Sequence, residues 1–352
     1  MHGNIAYPGA FDPVRWHVHE MLFGYVGAAI AGFLLTAVPN WTGRAPLQGV
    51  PLVFLLLLWL AGRVAVFYGA VMGAWVSAAI DLAFLAAVAA YVLREILAGG
   101  NRRNLPVAGA VALLAVASAA MHAEPVGLLA DSDTGMRLGI AIVTMLISVI
   151  GGRIVPAFTR NWLEGRGSAA RPAPFGAVDR AALLAGLVAL AGWVVAPASG
   201  LVAGLALVAA ALHAWRLCRW CGLRTGAEPL VWILHIGYAW LPLGFTLLAV
   251  SYGWPEFPQR AALHAFTAGA MGTMPLAVMT RATLGHTGRP LHAGAGTVAI
   301  YVAILLAAAA RIVGPLSPGF YIPAIAFGGT AWMLAFGLFV LLYAPALLGP
   351  RR

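Results

Sequence analysis

The nine histidines are the residues of this chain best suited to chemistry, because imidazole ligates haem iron, copper and zinc. His17 and His19 open the first long apolar segment, and His264 opens a later one on the same side. A bis-histidine haem needs one ring from each of two facing helices, and His19 and His264 suit that role. If the helix includes both, His17 cannot share a face with His19 two residues on, and it could serve a second metal such as copper. His235 has an aromatic setting of Trp232, Tyr238 and Trp240 and stays open as a metal ligand. His286 lies in a loop beside Arg281 and Arg289. Together these three could receive an anion such as a haem propionate, although a solvated loop is the simpler view. His122, His213 and His292 read as ordinary hydrogen-bonding histidines, and His2 lies in the N-terminal tail.

Other constellations say less. Cys218 and Cys221 form a Cys-x-x-Cys followed by Gly222 rather than His, which excludes c-type haem attachment. With no second pair, a structural zinc site is disfavoured, and two bystander thiols are the plainer reading over a redox pair or a copper entry point. No Walker loop, dinucleotide fingerprint or Ser-His-Asp arrangement is present, and the 11 acidic residues are too scattered for paired-carboxylate catalysis. Arg63 and Asp81 lie inside apolar segments that form a tight hairpin around Val71, so they sit at similar depth. A charge facing lipid is costly, and the two are expected to pair in a structural role.

These side chains must be positioned by membrane helices. Hydrophobic residues make up 62% of the chain and charged residues 9%, so a soluble fold could not cover its surface. Apolar runs long enough to cross a bilayer recur. The expectation is an all-α polytopic bundle, one integral membrane domain over 1–352, with crossings near 19–39, 49–69, 73–97, 105–122, 136–157, 178–197, 199–217, 229–250, 261–281, 296–313 and 322–347. The longest polar connection is 158–178. No cleavable signal peptide is evident. The net charge of +10 comes entirely from Arg, and it marks topology rather than nucleic-acid binding. Arg15, Arg137, Arg260 and Arg311 fall on the N-terminal side. Apart from Arg63, the others fall opposite, which makes the N-terminus periplasmic and the C-terminus cytoplasmic, Arg351 and Arg352 included.

The first and ninth crossings resemble each other. His19, Gly24, Gly27 and Thr42-Gly43-Arg44 fall, without gaps, on His264, Gly269, Gly272 and Thr287-Gly288-Arg289. The fifth ends Val155-Pro156-Ala157-Phe158-Thr159, echoing Val38-Pro39-Asn40-Trp41-Thr42, but has no matching His. Spaced by four and running the same way, these helices suggest a threefold repeat of four-helix units. The glycines would let a flat macrocycle approach the backbone.

The stretches Trp16-His17-Val18-His19-Glu20-Met21-Leu22-Phe23-Gly24, Ala31 to Gly43, Gly151 to Thr159, Leu234-His235-Ile236-Gly237-Tyr238, and His264 to Arg289 resemble the NnrS family over nearly the whole chain. The resemblance implies an inner-membrane protein containing haem and copper, linked to nitric oxide, nitrosative-stress defence or denitrification. It leaves open whether nitric oxide is turned over, as by a reductase, sensed or sequestered. Family members usually have twelve crossings, and this chain is expected to lack the first. With it restored, His19 and His264 would fall on helices two and ten, resembling the low-spin haem arrangement of the haem-copper oxidase core. The copper-binding histidines of those enzymes have no counterpart in the fifth crossing. Two rival readings remain: a transporter for a metal, haem or small solute, and an assembly factor for denitrification enzymes.

Overall fold

The computed structural model describes residues 8–130 and 133–350. His2, Arg351 and Arg352 lie outside them. Among the described residues no strand forms, and eleven helices are long and apolar enough to cross a membrane. They are α1 (Pro13–Thr42), α2 (Val50–Phe67), α3 (Ala74–Ala98), α4 (Arg102–His122), α5 (Asp133–Gly165), α6 (Ala177–Val195), α7 (Leu201–Arg224), α8 (Pro229–Gly253), α9 (Gln259–His286), α10 (Ala295–Leu316) and α11 (Pro318–Leu348). The number and order of crossings are those expected from hydropathy. The ends differ in one instructive place. α5 continues to Gly165, where the apolar pattern predicts a loop from 158. A helix does not need apolar residues to continue, and Arg166 lies over the Trp162 ring at 5.1 Å across that last turn.

The chain divides into two compact units, 1–143 and 144–352. In the first, α3 packs against α1, α2 and α4. One side of α3 is fully enclosed through Phe84, Leu85, Val88, Val92 and Ile96. By contrast α2 bares Val53, Phe54, Leu56 and Leu57, an apolar surface that suits lipid and not water. α1 starts cleanly: Asp12 Oδ1 accepts from the backbone N–H groups of Val14 (2.9 Å) and Arg15 (3.1 Å), and Pro13 supplies a helical φ. It ends at Gly43, whose φ of 69° is the left-handed conformation that lets the last turn close.

In the second unit α8 is the enclosed helix, with Leu230, Val231, Ile233, Leu234, Tyr238, Leu241, Phe245 and Leu248 all buried. It packs on α7 and α9, while α9 also meets α10 and α11.

The approach of α2 to α3 rests on Gly62. A Cβ there would lie 3.3 Å from the Asp81 Cα and 3.2 Å from its Oδ1. Gly62→Leu is therefore expected to push the two helices apart and cost about 1–3 kcal/mol by overpacking. A heating series in detergent, scored by the fraction still monodisperse, would show it.

Candidate metal centre

The buried polar residues of the first unit converge on one carboxylate. Asp81, on the first turns of α3, is 2% exposed. Its Oδ1 accepts from Arg63 Nη2, so the pair expected from the sequence forms. The same guanidinium reaches Glu20 Oε1 through Nη1. Asp81 Oδ2 faces three groups: His122 Nε2 at 3.1 Å, His19 Nε2 at 3.2 Å and Ser118 Oγ at 3.2 Å. Ser118 Oγ is also 3.2 Å from His19 Nε2. His19 and His122 are 0% and 3% exposed, and their rings meet edge-on at 4.9 Å. Phe11 stacks on His19 at 5.2 Å and closes that side.

One ligand atom from each of His19, Asp81 and His122 lies within 4.8 Å of the others, so the group could hold a metal ion. Nδ1 of His19 lies 3.4 Å from Glu20 Oε1. If that nitrogen carries the proton, Nε2 turns its lone pair toward Asp81 and His122. A carboxylate that orients a ligating histidine from behind is the usual outer support of a metal ligand.

The local backbone explains how Glu20 and Arg63 meet. After His19 the helix widens into a π-helical segment, Glu20–Tyr25. Such segments favour functional positions, because the extra residue per turn re-aims neighbouring side chains. Gly24 lies in it, and a Cβ there would come within 2.6 Å of Arg63 Nη1. The matched His264 also precedes a π-helical segment, Ala265–Met271, which contains Gly269. The likeness of the first and ninth crossings thus extends to an unusual backbone form. α5 is α-helical throughout.

The histidines separate clearly. His17 lies on the exposed side of the same short helical stretch as His19, outside the ion-binding group. His264 is half-buried in the second unit. His235 is buried, with Nε2 2.8 Å from Thr159 Oγ1. His213 Nδ1 lies 2.8 Å from the Tyr238 hydroxyl, and His292 Nδ1 meets Glu228 Oε2 at 2.9 Å. His286 is exposed at the end of α9. Arg281 lies over the Phe158 ring at 4.1 Å. Arg289 lines a cavity of about 420 Å³ with His292 and Tyr343, and neither Arg281 nor His286 is among its lining residues.

Sequence reasoning missed His122. A single histidine closing a helix carries no mark of its partners, which here come from other helices. It also read Arg216 only as a topology signal. Arg216 is fully buried, donating to Asp179 Oδ1 (2.9 Å), the Ser148 carbonyl (3.0 Å) and the Tyr238 hydroxyl (2.9 Å). Arg219 donates to the other Asp179 oxygen at 2.9 Å.

A family model described as NnrS protein matches residues 1–351. The chain belongs to the NnrS family. No curated relative and no solved structure matches it. The two cofactors that the NnrS resemblance implies can be tested against these residues. Two imidazoles, a carboxylate and a hydroxyl, all buried, suit a single transition-metal ion such as divalent copper, iron or zinc. A haem at His19 fits poorly in this NnrS chain. Both of its ring nitrogens already face polar partners, and the space beside Gly24 is taken by Arg63. The space beside Gly269 is likewise filled, by the Trp240 ring. The glycines admit side chains rather than a macrocycle.

Proposed function

We propose that this chain is a single-domain, metal-binding inner-membrane protein of the nitric oxide response, holding a transition-metal ion at His19, Asp81 and His122. What supports the reading is the convergence of three buried ligand atoms from three helices, together with NnrS family membership. An ion there supplies a redox-active or Lewis-acidic centre. The protein supplies the rest: Glu20 orients His19, Arg63 balances charge, and Phe11 keeps water from one side. Nitric oxide is small and uncharged and partitions into lipid, so it reaches a centre enclosed by membrane helices. The arginine asymmetry supports a position for this centre toward the periplasmic face.

Copper is the ion that the family resemblance favours. Haem, its other cofactor, is proposed on His264; Arg281 and Arg289 lie toward and just past the other end of α9, about 25 Å or more along it, and any anion they receive is not a propionate of that haem. His17, His235 and His286 take no part in the ion site. The transporter reading loses ground because the ligand atoms are enclosed, which suits a resident ion better than a cargo in transit.

The test is metal and pigment analysis of the detergent-solubilised protein. The expected result is one transition-metal ion per chain, lost in His122→Ala, and a Soret band lost in His264→Ala. A colourless protein with no stoichiometric metal would overturn the reading.

A further inference from the structure

The same side chains carry a charge pattern that bears on what the ion takes as a further ligand. Asp81 and Glu20 are carboxylates, and Arg63 bridges them through separate guanidinium nitrogens. With neutral imidazoles, the protein contributes one net negative charge. Among the described residues of this unit, the other ionised groups at this end are Arg15 with Asp12, Glu124 and Asp133, and Arg137, which donates to the Thr134 hydroxyl; all are partly exposed and therefore screened. A divalent ion would leave the enclosed centre with one uncompensated positive charge, which is unfavourable in a low-dielectric interior. One bound monoanion cancels it.

One unused donor lies on the arginine that pairs with Asp81. Arg63 Nε is buried and finds no acceptor among the described residues. The Ser118 hydroxyl, by contrast, already donates to Asp81 Oδ2 at 3.2 Å, with His19 Nε2 also 3.2 Å away. We infer that the centre binds a divalent metal ion together with one small inorganic monoanion, hydroxide when no other is present, and that Arg63 sets this preference. The inference rests on the metal reading above. Arg63 acts here as a positioning residue, through charge and hydrogen bonding, and is not a metal ligand.

The experiment uses the full chain in detergent, with Co²⁺ as the metal and azide as the anion, both followed by the cobalt optical spectrum. Wild type is expected to bind one Co²⁺ and then one azide. Arg63→Gln makes the site more negative, so Co²⁺ should bind tighter and azide at least ~10-fold weaker. Glu20→Gln makes it less negative, so Co²⁺ should bind weaker and azide tighter. Arg63→Lys keeps the charge and should retain azide better than Arg63→Gln does. A merely structural role would weaken both ligands in both neutralised variants. If wild type binds no Co²⁺, the metal reading fails and this inference with it. If Co²⁺ binds but azide affinity is absent or the same in all four proteins, this inference alone is overturned.

Discussion

Asp81→Ala is expected to abolish metal binding and also to destabilise the protein by about 3–5 kcal/mol, the usual cost of stranding one member of a buried ion pair. The second effect does not depend on metal. Removing the carboxylate leaves Arg63 with Glu20 alone, and it takes from His19, Ser118 and His122 the acceptor they share. Asp81→Asn separates the two consequences, because the amide keeps volume and an acceptor oxygen but removes the charge. Adding Arg63→Gln to Asp81→Asn should recover much of the lost stability and none of the metal. Thermal unfolding in detergent, read beside metal content, checks both parts. A double variant as unstable as the worse single variant would show that the pairing is not what couples them.

The second large effect belongs to the other unit. Asp179→Ala is expected to cost a similar ~3–5 kcal/mol, since it strands the fully buried Arg216 without its counter-ion. Three features make that arginine hard to relocate. Gly152 leaves the space that its guanidinium occupies, the Ser148 carbonyl and Tyr238 hydroxyl accept from it, and Trp220 lies 5.3 Å beneath it. Metal content should be unchanged, because none of these residues belongs to the ion-binding group. Comparing Asp179→Ala with Asp81→Ala therefore distinguishes a charge that holds helices together from one that also ligates. Parallel loss of metal in Asp179→Ala would contradict that separation.

Much of the architecture was legible because the bilayer imposes it. Apolar length alone located all eleven spans, since a crossing needs a fixed number of apolar residues whatever packs beside it. The Arg63–Asp81 pair was legible for a similar reason: a short hairpin fixes relative depth, and two opposite charges at one depth attract. The rest of the site depended on information carried by no local pattern. His122 comes from α4 and Ser118 from the turn above it, and nothing in their neighbours distinguishes them from interfacial polar residues. The π-helical segments have no spacing rule of their own, although the matched His and Gly positions of α1 and α9 marked where they occur. Arg216 shows the opposite failure. Its place at a helix end says nothing about its burial, because an arginine there can lie in headgroups or fold back onto a partner.

The most direct test of the metal centre is the X-ray absorption spectrum of the full chain loaded with one equivalent of Zn²⁺. The arrangement of His19, Asp81 and His122 predicts a first shell of two imidazole nitrogens and carboxylate oxygen at about 2.0–2.2 Å. It also predicts that His122→Ala removes one imidazole contribution. A shell containing sulfur at about 2.3 Å, or one unchanged by His122→Ala, would place the ion elsewhere and contradict this account.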